Sequence, residues 1–305
     1  MAAKPSRGFR LAGVLMVATI VVACGSARRT VTPGIRDRAH SLEEASYETS
    51  LSGDLERAAI LEQRAVDAYR SIDDVDAVAG GLNRLGNLHQ RAGDLAAARR
   101  VYIEAGDIAR QSGAIGQEAA AENNLGTLAE TGGDLGAAQS HYAAALGLAR
   151  QAEDPLVEAA ALNNLGLLAL SAGDLALASN RFEAALSIDR SEEDRAGEAT
   201  RLRNLGAMHR RAGDSAAALG SLEQAHQIDR EREDVPAIAL DLVGLSEVRA
   251  AGGADLARAV GERRRAQDIH RFLHDEAAVR HDGERIAEWC RGLPTPPADC
   301  KAAER

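Results

Sequence analysis

A forty-residue repeat constrains the fold of this sequence more than any other feature. A motif of the form Asn-Asn-Leu-Gly recurs, and its glycine advances by 40 residues each time, at Gly86, Gly126, Gly166 and Gly206. Gly-Asp pairs keep the same step, at Gly53-Asp54, Gly93-Asp94, Gly133-Asp134, Gly173-Asp174 and Gly213-Asp214. An internal period of this length is typical of a solenoid, in which each helical or stranded unit buries its apolar face against the next unit.

Each copy of the repeat predicts two helices joined by the Gly-Asp turn. An apolar stretch of about four turns precedes the pair, such as Leu156 to Ala172, where Asp154 serves as N-cap and Pro155 as the first helical residue. The glycine ends this helix in a left-handed conformation, and the aspartate caps the second helix. The second helix carries alanines four and eleven residues after the aspartate, and these small residues allow close helix packing. A large residue stands eight after the aspartate in the four central copies, namely Tyr102, Tyr142, Phe182 and Leu222.

The two outer copies depart from this pattern. The first copy has Ala45-Ser46 where the central copies have Leu-Gly. We place a sixth, degenerate copy at Val243-Gly244 and Ala254-Asp255, which puts Arg263 at the position of the large residue. The sequence therefore predicts an all-α array of about six repeats, of which the last is degenerate.

These residues resemble the tetratricopeptide repeat, whose first helix carries Leu-Gly and whose second carries alanine, an aromatic residue and alanine. The resemblance covers about residues 35–272, although the period is longer than the 34 residues usual in the family. It implies a right-handed α-solenoid of helix-turn-helix repeats whose first helices line a concave groove. In the branch that this period resembles, an asparagine just before Leu-Gly reads the backbone of a bound peptide, because an amide both donates and accepts.

The resemblance therefore implies a peptide-binding site on the first helices. Three amides at one-repeat steps suit an extended strand, and arginine beside them would hold a carboxylate. The candidate peptide-binding residues are Asn83, Arg84, Asn87, Asn124, Asn164, Arg203 and Asn204. The alternative is that the amides only hydrogen-bond between neighbouring helices and keep the repeats in register.

The amino terminus has the pattern of a secretory signal. Basic residues precede a twelve-residue apolar run over residues 11–22, which is too short to span a bilayer as a helix. The sequence Val21-Val22-Ala23-Cys24 then resembles a bacterial lipobox. This implies a lipoprotein signal peptide over residues 1–23, a lipidated Cys24 and a linker over residues 24–34; the alternative is an ordinary signal or an uncleaved anchor. Gly25 in place of an aspartate favours the outer membrane, facing the periplasm.

The last segment, residues 273–305, predicts a capping helix followed by a proline-rich tail. We expect the helix from about His274 to Leu293, with Ile286 and Trp289 on its apolar side. Cys290 and Cys300 flank the prolines and are the only pair once Cys24 is lipidated. Outside the cytoplasm such a pair is expected to form a disulfide.

Charge and motifs exclude several classes of function. The chain has 46 Asp and Glu against 36 Lys and Arg, a net charge of −10, which argues against nucleic acid as a partner. No glycine-rich phosphate loop or nucleophile–base pair is present, so we expect neither a cofactor nor an enzyme. His270 and His274, which we expect four residues apart on one helix face, together with His281 leave a metalloenzyme as a less favoured alternative.

The sequence thus predicts a lipid-anchored scaffold that binds a protein or peptide in the bacterial cell envelope. A related alternative is an accessory lipoprotein that assists assembly of a secretin or pilus machine, which rests on architecture alone.

The lipid anchor is tested by replacing Cys24 with serine, which removes the thiol that would carry the lipid. We expect the variant to move from the membrane fraction to the soluble fraction, because the acyl chains on Cys24 would be the part of the protein that inserts into the bilayer. Unchanged membrane association after cell fractionation would contradict the lipoprotein hypothesis.

Overall fold

The computed structural model describes residues 34–251 and 255–293 together with Cys300. These residues form thirteen α-helices and no strand. The helices are α1 Ile35–Leu51, α2 Leu55–Arg70, α3 Val75–Arg91, α4 Leu95–Ser112, α5 Ile115–Thr131, α6 Leu135–Ala152, α7 Pro155–Ala172, α8 Leu175–Ser191, α9 Arg195–Arg211, α10 Ser215–Glu231, α11 Val235–Ala251, α12 Leu256–Phe272 and α13 Glu276–Arg291. The odd-numbered helices α1 to α11 are the A helices of six repeats, the even-numbered helices are their B helices, and α13 follows as a cap.

Most of the described turns are made by a left-handed residue followed by an aspartate; before α5, Gly113 with φ +78° is followed instead by Ala114, which makes no side-chain cap. Between A and B helices that residue is a glycine, as in Gly93 with φ +83°, and Asp94 accepts from the backbone N–H of Ala97 at 2.9 Å. Between a B helix and the next A helix, Glu153 has φ +53°, and Asp154 caps α7 in the same way. Where this turn chemistry repeats, it sets the direction of each helix relative to the preceding one.

The A helices lie on the inner side of the array. Each helix packs against its neighbours in sequence, and successive A helices from α3 to α11 also contact one another. No contact of comparable extent joins successive B helices among the described residues. The array therefore curves with its A helices on the concave face, as the resemblance implies.

The alanine and ring pattern of the sequence is confirmed by burial. Tyr102, Tyr142 and Phe182 are at most 1% exposed, and Leu222 is 3% exposed. The twelve alanines four and eleven residues after the capping aspartates are all fully buried: Ala58, Ala65, Ala98, Ala105, Ala138, Ala145, Ala178, Ala185, Ala218, Ala225, Ala259 and Ala266.

The large residue of each central repeat lies directly on the glycine of its own A helix. A Cβ atom on Gly126 would lie 2.6 Å from Cδ1 of Tyr142, and one on Gly166 would lie 2.6 Å from Cε1 of Phe182. Real Cβ contacts are not this short, so the ring requires glycine opposite it. This explains why Leu-Gly and the large residue repeat together.

The placement of the sixth copy on Val243-Gly244 is wrong. Helix α11 begins 40 residues after α9, which makes Ser246 the counterpart of Gly206. Arg263 occupies the position of the ring and is 1% exposed, as expected. The aliphatic stem of Arg263 is narrower than an aromatic ring, so the A helix can carry serine at position 246 in place of glycine. The first repeat likewise carries Ser46 at this position.

The cap α13 packs against α12 through the side predicted to be apolar. Ile286 is fully buried and Trp289 is 6% exposed. The Arg285 guanidinium lies 4.9 Å from the Trp289 ring centroid, a cation–π contact that closes the outer side of the cap. Cys290 and Cys300 form a disulfide with a Cα–Cα distance of 5.6 Å, and Cys300 is buried in the same cluster.

One described helix, α7, is long and apolar enough to cross a membrane by length and composition. In the structure it is an ordinary A helix between α6 and α8, where Leu162 and Leu165 pack within the array and Leu156 is exposed.

The fit of ring to glycine predicts a large cost for removing a ring. Replacing Tyr142 with alanine should lower the free energy of unfolding by about 3–5 kcal/mol, because the cavity lies between two helices that cannot collapse onto it. The matched control, Tyr142→Phe, keeps the ring and loses only the hydroxyl bonds to Glu130 at 2.8 Å and to Thr127 at 3.3 Å, and should cost about 1–2 kcal/mol. Urea unfolding measures both, and equal stability of the two variants would contradict this packing.

The disulfide predicts a redox-dependent stability of the cap. In a Cys24→Ser background, labelling of the unreduced protein should find no free thiol, and reduction should destabilise the cap by about 2–3 kcal/mol, as expected for closing a short loop. Two reactive thiols before reduction would show that the bond is absent in solution. Cys290→Ser is the control, since its stability should not respond to the reductant.

Candidate peptide-binding groove

The concave face is lined by side chains that the A helices turn away from their B helices. One row holds Arg84, Asn124, Asn164 and Asn204, at 40-residue steps. The three asparagines are half-buried, whereas Arg84 is exposed. The centre of this row is therefore polar and uncharged.

Two of the three asparagines bind the preceding A helix. The Asn164 amide donates to Oδ1 of Asn123 at 3.0 Å, and the Asn204 amide donates to Oδ1 of Asn163 at 2.6 Å. In both pairs the partners are 41 residues apart. We call these two bonds the rungs of the asparagine ladder. They hold successive A helices in register, which is the structural role that the sequence left open.

The third pair in this register does not form a rung. Asn83 is 5% exposed, and its amide donates to the backbone carbonyl of Gln117 at 3.1 Å. Its Oδ1 is buried without a hydrogen-bond partner. Asn124, 41 residues further on, has no hydrogen-bond partner among the described residues. We call Asn83 and Asn124 the open rung, because an unsatisfied buried acceptor and a free amide remain where the other repeats form a bond.

Arg84 is engaged by acidic groups of the first repeat. Its Nε donates to Glu62 at 2.9 Å, and its guanidinium also pairs with Glu43. Glu62 is 2% exposed and stands where later repeats carry the ring. Burial raises the pKa of Glu62, and the charge of Arg84 opposes that rise. Arg84 is therefore needed to compensate a buried carboxylate.

Arg203 is likewise not available as a free cation. Its guanidinium bonds to Asp241 at 2.8 Å and to Asp229 at 2.6 Å, and both aspartates are fully buried. Burial raises the pKa of Asp229, the neighbouring charge of Asp241 raises it further, and Arg203 lowers it. The expectation that Arg203 adds a carboxylate-binding charge to the groove therefore does not fit its contacts, which the sequence could not reveal because both aspartates lie on other helices.

The remaining groove residue, Asn87, connects the concave surface to the ring beneath it. Asn87 is exposed, and its Oδ1 accepts from the Tyr102 hydroxyl at 2.6 Å. Thr127 holds the same position one repeat later and lies 3.3 Å from the Tyr142 hydroxyl. Both side chains keep capacity for a further hydrogen bond on the groove side.

The C-terminal histidines do not assemble a metal site in the described part of the chain, where no three His, Cys, Asp or Glu side chains are placed for one. The expectation that His270 and His274 share a helix face is wrong, because α12 ends at Phe272 and His274 forms the turn with φ +58°. His270 instead contacts Asp282 at 2.6 Å. Cys24 lies outside the described residues.

Residues 157–231, two repeats of the array, match the sequence model of the tetratricopeptide repeat. No curated protein sequence matches the chain significantly. Residues 157–231 carry tetratricopeptide repeats, and the array as a whole has the fold of a tetratricopeptide-repeat solenoid, a fold that typically serves as a scaffold for protein interaction.

Solved structures of other solenoids resemble the array. A Rap protein complexed with Competence and Sporulation Factor superposes with a TM-score of 0.62 at 16% identity, over 86% of this chain and 77% of that one. BtubC from P. vanneervenii gives 0.55 at 24% identity, over 65% and 82%. The pilF protein of Pseudomonas aeruginosa gives 0.50 at 15% identity, over 90% and 100%. At these identities the likeness concerns the fold alone.

Proposed function

We propose that the concave groove binds an extended segment of a partner protein or peptide, and that the open rung is where the backbone of that segment is held. The observation that carries this proposal is the Asn124 amide, which is half-buried on the concave face and unpaired among the described residues where the other repeats form a rung. Because an amide both donates and accepts, Asn124 can bind the N–H and C=O groups of an extended backbone.

The groove divides its asparagines between two tasks. Asn164 and Asn204 hold the array together, whereas Asn124 engages the ligand. Asn87 and Thr127 offer further hydrogen bonds beside it, and the uncharged centre suits a backbone without selecting for charge. The Rap protein of the same fold holds a partner, Competence and Sporulation Factor, which supports a binding role for a solenoid of this shape.

We further propose that the scaffold is anchored in the bacterial cell envelope through Cys24, with the outer membrane favoured. The support is the lipobox-like sequence and the apolar run before it. The groove would then present its binding surface to envelope partners at the membrane. An assembly role for a secretin or pilus machine is the narrower form of this proposal, and the fold shared with pilF is compatible with it.

Alanine variants of the three asparagines separate the two tasks. Asn164→Ala and Asn204→Ala should each lower the free energy of unfolding by about 1 kcal/mol, because each breaks a rung and leaves an acceptor unpaired. Asn124→Ala has no such bond to lose and should melt like the parent.

Binding is measured by photo-crosslinking in native membranes, with benzoylphenylalanine at Thr127 in the groove. We expect a crosslinked partner from Thr127 and none from the matched control at Ala144, which is exposed on the B helix of the same repeat. Adding Asn124→Ala should abolish the crosslink without changing the melting temperature. Equal crosslinking from Ala144, or a crosslink indifferent to Asn124, would refute the groove.

A further inference from the structure

The groove ends at the first repeat in a cleft between α1 and α3. This cleft has a volume of about 430 Å³, and its walls include Glu44, Tyr47, Leu88 and Arg91. Tyr47 is 66% exposed, a large aromatic side chain left open at the rim. We call this space the first-repeat cleft. It exists because the first repeat has Ser46 and Glu62 in place of the glycine and ring that fill the central repeats.

The carboxylates of the cleft outnumber the cations that compensate them. Arg84 serves both Glu43 and Glu62, and Arg91 donates to the backbone carbonyl of Ser50 at 3.0 Å. Glu44 is exposed and has no ion pair among the described residues. It occupies the position that Asn124 occupies in the third repeat, so its carboxylate belongs to the same row of the groove.

The charge of the whole first repeat has the same sign. Residues 34–74 hold ten Asp and Glu against five Arg. Burial raises the pKa of Glu62 and Arg84 opposes that rise, so the Arg84 charge is used on a buried carboxylate and does not neutralise Glu44. The first-repeat end of the groove therefore carries net negative charge and attracts a cation, whereas the asparagine row at the centre is uncharged.

The walls of the cleft fit one kind of cation. The Tyr47 ring and Leu88 offer apolar surface for an aliphatic stem, and the ring face also attracts a positive head group. Glu44 lies where it can accept from that head group in a charge-assisted bond. A long basic side chain makes the apolar contacts and the charged contact at the same time. An acidic or short polar side chain cannot make both.

We propose that the first-repeat cleft binds a lysine or arginine side chain of the partner segment, with Glu44 and Tyr47 as its contacts. This rests on the proposed binding role of the groove and adds the chemistry of its ligand. The basic residue would fix which end of the extended segment lies over the first repeat, which the uncharged asparagine row cannot do.

The experiment uses single cysteines in a Cys24→Ser full-length background, where the introduced thiol is the reactive one. Asn87→Cys places it at the cleft, and Leu167→Cys places it at the same position two repeats away, with no charged neighbour in its row. The probes are aminoethyl methanethiosulfonate, a cation, and sulfonatoethyl methanethiosulfonate, an anion. The rate ratio of cation to anion should be roughly tenfold higher at the cleft, because unscreened charges at contact distance act on this scale.

The charge and the ring are then tested separately. Glu44→Gln should lower the ratio towards the Leu167→Cys value, and high salt should do the same. Arginine amide at millimolar concentration should slow labelling by neutral methyl methanethiosulfonate at the cleft, and Tyr47→Ala should remove that protection. Glutamine amide should give none.

A rate ratio equal at the two sites, or protection by glutamine amide as strong as by arginine amide, would overturn the proposal. The readout requires no groove ligand, so its failure leaves the groove untouched. Conversely, loss of the Thr127 crosslink with an intact cation preference would refute the groove and not the charge of the cleft.

Discussion

The structure depends on the contact between one glycine in each A helix and the large side chain of its B helix. In the four central repeats this side chain lies so close that a Cβ atom on the glycine would overlap it, as at Gly126 and Tyr142. The buried alanines then let the next repeat approach equally closely. Because the contact recurs at a constant step, successive A helices stay near enough to form the asparagine rungs. The groove follows from the packing beneath it.

The first and sixth repeats replace this contact with serine and a buried charge, and that change shapes the two ends. Glu62 and Arg263 are both at most 2% exposed and are compensated by ion pairs. At the C-terminal end, Arg263 bonds to Asp282 of the cap at 2.6 Å, so the charge fastens α13 to the array. At the first repeat, Arg84 of α3 bonds to Glu62 at 2.9 Å in the corresponding way, and a cleft remains between α1 and α3 beside this pair. The buried charge is thus paired with the following helix at both ends of the array.

The repeat, its helices and its buried residues could be predicted from the sequence because each contact recurs at a fixed interval. Features that occur once could not. Glu122 stands where other repeats have a buried leucine, and only the structure shows that His141 of the next helix contacts it at 2.8 Å. The acidic partners of Arg203 are similarly distant in sequence. The open rung could not be predicted from the sequence either, because Asn83 has the same residue type as Asn123 and Asn163 and differs only in its contacts.

A double-mutant cycle on Gly126 and Tyr142 tests the central claim most directly. Gly126→Ala should strongly destabilise the parent, because the added methyl group meets the ring, and should cost little in the Tyr142→Ala background, where the ring is gone. The account therefore predicts a coupling free energy of about 1–3 kcal/mol between the two positions, measured by urea unfolding of the parent, both single variants and the double variant. Additive effects of the two substitutions would contradict it, because the glycine would then not be required by the ring.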